Sequence, residues 1–235
     1  MASPIVIPVA QFDANNVVFS GVNKNQHGGK VVYLNLPGKQ KPIFQLPVMK
    51  APFGFSTYQS EDGKSTSYSV SLDLSACPDV QARFKALDER AIDYAFENSE
   101  TLFGKKIAKD VLRDVMYTSP VRKDKNGKYG DTLFCKVLQT RDGKSFAVEA
   151  YESNRKPTDI SSLDKLRNVV TIVQIGSMWF MGNKSFGITV RLEQVMFMPK
   201  TQLQGFSFVG LEDVTATADV EDEAEEEYEE EEEDV

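Results

Sequence analysis

The sequence predicts a mainly β protein with one inserted helix: an OB-like Greek-key barrel followed by a disordered acidic C-terminal tail. Three observations carry this. Most of the body reads as strands, with clean apolar–polar alternation in several of them, one long stretch has helical spacing between runs of strands, and the charge divides sharply near the C-terminus. A β-sandwich remains open as an alternative, because strand counting does not separate the two architectures.

The elements follow in chain order. Residues 30–36 read as a strand with Val32, Leu34 and Leu36 on one face. Residues 53–64 mix Phe53, Phe55 and Tyr58 with Gly and Ser and read as an aromatic loop. Residues 66–74 alternate cleanly, with Tyr68, Val70, Leu72 and Leu74 pointing one way and Ser67, Ser69, Ser71 and Asp73 the other. From 78 to 98, Val80, Phe84, Leu87, Ala91 and Tyr94 recur every three or four residues, which is a helix. Pro78 suits its first turn and Asp79 its positive end, while Asp88, Glu89, Arg90 and Asp93 are read off the apolar stripe. A weaker helical stretch covers 102–116. Residues 120–130 form a basic, turn-rich loop. Residues 133–138 and 146–151 flank Arg141-Asp142-Gly143-Lys144, an Asp-Gly hairpin signal. A longer hairpin follows, with arms 168–180 and 185–198 joined near Met181-Gly182-Asn183-Lys184.

Composition narrows the function. The formal net charge is -8, but residues 219–235 hold 13 acidic residues and no Lys or Arg. The remaining 22 acidic and 27 basic residues leave the body at +5. The expected division is therefore a body over 1–211 and a tail over 212–235, the tail too charged and too poor in apolar residues to build a core. No apolar run reaches the roughly 18 residues of a membrane span, and the N-terminus lacks the pattern of a secretory signal. Two cysteines, Cys77 and Cys135, fit a reducing compartment better than a disulfide framework. The expected location is intracellular, in the cytoplasm or nucleus of a host cell if the protein is viral.

Enzyme chemistry is thin. The one histidine, His27, sits in a Gly-Gly-Lys turn, and no phosphate loop or dinucleotide fingerprint is present. One histidine and two cysteines argue against a structural zinc site. Neither a catalytic residue, nor a cofactor, nor a metal is expected.

The positive signal is cationic and aromatic residues interleaved. Single strands are held by charge along the phosphates and by flat side chains beneath the bases. Alternation puts Phe134 and Lys136 opposite Leu133, Cys135 and Val137. Arg122, Lys123, Lys125, Lys128 and Tyr129 offer a cationic loop with an aromatic; Phe53, Phe55 and Tyr58 offer an aromatic loop. Trp179 precedes the late hairpin turn, which carries Lys184, and Arg191 lies in the second arm. Each feature also has a plainer reading, Trp179 and Phe134 as core and the lysines as a solvated turn.

The strand–helix–strand order, the hairpin arm Ile188-Thr189-Val190-Arg191-Leu192-Glu193-Gln194-Val195 with Trp179 before it, and the acidic tract together resemble the bacteriophage T7 type of single-stranded DNA-binding protein and related acidic-tailed viral single-stranded DNA-binding proteins. The resemblance implies an OB fold that binds single-stranded DNA without sequence preference in replication, recombination or repair. It also implies a tail that competes with DNA and contacts replication proteins. A homodimer is left open and no membrane partner is expected. The alternatives are an acidic-tailed histone chaperone and a structural virion protein.

Overall fold

The computed structural model describes residues 5–25, 28–61, 63, 65–124 and 130–200. The predictions for His27, Lys125, Lys128, Tyr129, the 211/212 boundary and the acidic tail lie outside the described residues.

The principal strands are β1 (Lys30–Asn35), β2 (Ile43–Gln45), β3 (Met49–Ala51), β4 (Phe55–Gln59), β5 (Thr66–Asp73), β6 (Thr132–Val137), β7 (Glu149–Glu152), β8 (Arg167–Met181) and β9 (Ser185–Phe197). The long helix α1 (Pro78–Glu97) and the short α2 (Ser99–Phe103) lie between β5 and β6. This is the mainly β class with one inserted long helix that the sequence predicts. The strands form an open mixed sheet whose main path ends, on one side, at β4.

β8 organises that sheet. It forms the expected hairpin with β9, and along its other edge it pairs in turn with β3 at Arg167–Val169, β2 at Ile172–Gln174 and β1 at Ser177–Trp179. Register shifts against β9 fall between Ile172 and Val173 and between Ile175 and Met178. An irregularity of this kind bends a strand and sharpens its twist. Two of them let a single strand serve three successive partners. β9 in turn pairs in parallel with β6 at Lys136↔Arg191 and with β7. β6 continues antiparallel to β5, and β5 to β4.

One face of the sheet encloses the core. Val70, Leu72, Leu133, Cys135, Val173, Ile175, Phe186 and Leu192 are buried there with Phe84, Leu87 and Ala91 of α1 in one continuous cluster. The alternation read in β5 and β6 is thus the alternation of core and outer face. Burial pushes the Cys135 thiol up to about 12, so it behaves as a small apolar group. Phe84 has no exposed surface.

Several expectations are corrected. The aromatic segment 53–64 is not a continuous loop: Phe55–Gln59 is strand β4, paired with β5. Polar Ser and Thr hid its alternation. Asp88 is not off the apolar stripe of α1 but buried on it at 8% exposure, because two hydroxyl groups reach its carboxylate. The stretch 102–116 breaks into the end of α2, a short helical turn at Lys109–Val111 and a π-helical turn at Leu112–Met116. The Asp-Gly turn at 142–143 is present, yet it joins only a Gln139↔Phe146 bridge. β7, beyond it, runs parallel to β9 instead of returning along β6.

Candidate nucleic-acid interface

The outer face of β4, β5 and β6 is made by the residues that alternate away from the core. In register these are Ser56 with Ser69, and Ser71 with Phe134. Small hydroxyl side chains therefore surround one aromatic ring, leaving the strand surface low. Segments on either side rise above it and enclose an open groove of about 810 Å³.

On the β4 side the groove is lined by Lys50, Pro52 and Phe53, together with Lys165 and Leu166 from the segment leading into β8. Their proximity depends on Gly54. Its φ is +62°, and a Cβ there would lie 2.4 Å from the Leu163 carbonyl oxygen. Only glycine permits that approach. Leu166 is itself left-handed, at φ 62°, and 67% exposed; its N–H donates to the Ala51 carbonyl at 2.8 Å. Phe53 is 49% exposed. The groove thus carries an apolar ledge between two lysines.

On the β6 side stand Arg122 and Lys123. Val121–Arg122 is a two-residue strand paired with Thr132 and Leu133. The pairing brings the Arg122 guanidinium to 3.5 Å from the centre of the Phe134 ring, a cation–π contact. Burial lowers the Arg122 pKa from its ordinary value, which leaves the group charged. None of the ion pairs among the described residues uses Lys50, Lys123 or Lys165. Two carboxylates, Asp73 and Asp124, also line the groove. Asp73 Oδ1 accepts from the Ser75 N–H and hydroxyl at 2.9 and 2.7 Å.

Of the residues proposed from sequence, Phe53, Arg122, Lys123 and Phe134 come together here. Tyr58 shares the outer face of β4 two residues beyond Ser56 and is 65% exposed, outside the groove lining. Lys136, exposed, lies two residues beyond Phe134 and is in register with Arg191 of β9. Arg191 lies over Gly176, where a Cβ would stand 3.2 Å from its Nε. The two cations continue the outer face away from the groove.

Phe55 points the other way. Its ring stands 5.7 Å from Tyr68 and 5.0 Å from Phe146, an aromatic cluster against the core. Trp179 is half-buried on Gly187, where a Cβ would be 2.8 Å from its Cζ2, and Lys184 is exposed in the hairpin turn; neither lines the groove. Sequence reasoning missed Lys50, Lys165 and Leu166. Lys50 had a signal as the polar residue of Met49-Lys50-Ala51, whereas nothing local marks Lys165-Leu166. A second, smaller hollow of about 320 Å³ lies on the outer face of β7, β8 and β9, lined by Tyr151, Val170, Ile172 and Met196 with Gln45, Gln194 and Arg155. Among the described residues no cluster of side chains could hold a metal ion.

In structure the chain is similar to gp2.5, a single-stranded DNA binding protein encoded by bacteriophage T7, at 15% identity and a TM-score of 0.44, covering 80% of this chain and 100% of that one. It is also similar to the single-stranded DNA-binding protein from bacteriophage Enc34 in complex with ssDNA, at 15% identity and a TM-score of 0.40 over 78% of this chain and 97% of that one. The same Enc34 protein in a second structure gives 14% identity and a TM-score of 0.37, covering 84% and 99%. No curated protein sequence matches the chain. Residues 61–208, from just after β4 through the late hairpin, match the model described as "Family of unknown function (DUF5871)", and the chain belongs to that family.

Proposed function

We propose that the protein binds single-stranded DNA without sequence preference, along the groove over β4, β5 and β6. The observation that supports this is the joining, in one open groove, of an aromatic ring set among small hydroxyls with four lysine and arginine side chains. Phosphates are attracted by the cations, and an unpaired base offers its flat face to the stacked pair of Arg122 and Phe134 or to the Phe53 ledge. Paired bases hide those faces inside the duplex, so the same groove favours single strands. Lys136 and Arg191 extend the cationic track across the sheet.

The biological setting proposed is DNA replication, recombination or repair. On charge alone, the acidic run 219–235 is a tethered polyanion that competes with DNA for the cationic body and recruits basic partners such as replication proteins. Its deletion raises DNA affinity most at low salt, where screening is weakest. Unchanged affinity after truncation across a salt series removes the competition.

Gel-shift titration with single- and double-stranded oligonucleotides at two salt concentrations tests the main proposal. The single strand binds more tightly, and its affinity falls with salt by about 0.7 logarithmic units per phosphate contacted for each tenfold rise. Equal affinity for duplex and single strand, or indifference to salt, overturns it.

A further inference from the structure

The buried carboxylate of Asp88 lies outside the groove, yet it is tied to it. Oδ1 accepts from the Tyr117 hydroxyl at 2.6 Å and Oδ2 from the Ser119 hydroxyl at 2.5 Å. The Ser119 oxygen in turn accepts the Val121 N–H at 2.9 Å. The next carbonyl, of Pro120, accepts the Phe134 N–H at 2.8 Å. The short strand fixed in this way ends at Arg122, over the Phe134 ring.

The two hydroxyls do different jobs. Tyr117 belongs to the body: it pairs with β9 opposite Phe186, and its ring stands 5.2 Å from the Phe186 ring. Ser119 belongs to the segment that carries the cation. A carboxylate accepts from both at once, whereas an asparagine amide would present a donor to one of them. If that one were Ser119, its oxygen would receive two N–H donors and its own proton would lose its partner. We propose that Ser119, anchored on the Asp88 carboxylate, is a positioning residue for the groove and holds Arg122 over Phe134. This rests on the reading that the groove binds single strands.

Burial pushes the Asp88 carboxyl up to about 6, with the two hydroxyls and Lys85 acting in the opposite direction and Glu89 adding to the rise. Glu89 is itself paired with Arg113 at 2.7 Å, and Lys85 stands 3.6 Å from Asp131. Such a carboxylate is unfavourable as a mere filler of the core, and its hydrogen bonds are strongest when it is charged.

The test is a double-mutant cycle read by binding of a fluorescent oligothymidylate, with thermal unfolding of each variant beside it. Ser119→Ala weakens binding about as much as Arg122→Ala, about fivefold at 0.1 M salt if one phosphate contact is lost, and lowers the salt slope by about 0.7. The double variant is no weaker than Arg122→Ala alone, because the serine acts through the arginine. Ser119→Thr, which keeps the hydroxyl, restores binding. Tyr117→Phe lowers the unfolding temperature and leaves affinity alone. Additive losses in the double variant overturn the proposal. So does affinity that follows unfolding temperature through all the variants, or an Arg122→Ala loss with Ser119→Ala silent. A wild-type chain that binds no strand overturns the groove reading, and this inference with it.

Discussion

The two hollows on the outer face share one sheet and differ in almost every chemical respect. Over β4, β5 and β6 the outward residues of the groove are serines, Asp73, Thr132 and one phenylalanine, and the cations Lys50, Arg122, Lys123 and Lys165 outnumber the carboxylates Asp73 and Asp124. Over β7, β8 and β9 they are Val170, Ile172 and Met196 beside Tyr151, with Arg155 as the sole cation of that lining. Its polar rim is already engaged: Gln194 donates to Glu149 at 2.7 Å, and so does the Tyr151 hydroxyl at 2.9 Å. A concave surface on a β-sheet therefore says little until its charges are counted. Only the first hollow suits a polyanion.

Removing all four cations of the larger groove gives the largest effect on that contrast. Replacing Lys50, Arg122, Lys123 and Lys165 by Ala lowers single-strand affinity at 0.1 M salt by on the order of 10²–10³-fold and flattens the salt slope by about 2.8. A filter-binding series across salt measures both, and a slope left intact would place the phosphates elsewhere.

The aromatic floor comes next. Phe134→Ala costs about 1–3 kcal/mol of binding if a base stacks on the pair it makes with Arg122. Because the ring is half-buried on the outer face while Leu133 and Cys135 fill the core, the variant stays folded, which circular dichroism checks. An unfolded variant would return Phe134 to the core.

A pH titration of stability is smaller and separates helix from groove. The folded-state pKa of Asp88, about 6, lies above its unfolded value of about 3.9. The native state therefore holds a proton that the unfolded chain releases. The resulting stability is fully present below about pH 4 and is lost as pH rises through about 6, by at most about 3 kcal/mol. Asp88→Asn removes that slope; urea denaturation at several pH values shows whether it does. The smallest effect belongs to the apolar hollow, where Tyr151→Ala leaves single-strand affinity within about twofold. Loss of binding there, measured with the same oligonucleotides, would dissolve the distinction between the hollows.

Much of this was legible in the sequence because period-2 alternation records which side of a strand meets the core. Ser67, Ser69 and Ser71 announced an outer face, and Phe134 and Lys136 its continuation. The helix was equally plain from Val80, Phe84 and Leu87. What was not legible depends on long-range neighbours. Asp88 looked like a surface acid because its partners lie on Tyr117 and Ser119, outside any local window. Phe55 looked like its neighbour Phe53, although strand pairing turns it toward Tyr68 and Phe146. Lys165 and Leu166 join the groove only because Gly54 lets another segment approach.

The dependence of three early strands on β8 reaches back to the ribosome. Residues 30–51 find these sheet partners only in residues 167–181, which are made much later. At roughly 5–20 residues per second the wait is on the order of ten seconds. During that interval β1, β2 and β3 lack the edge they will finally occupy, and Val31, Val32 and Phe44 cannot gain their full native burial. The nascent chain is thus most exposed to misassociation before the late hairpin emerges, and truncations that end short of residue 181 should be captured by holdase chaperones.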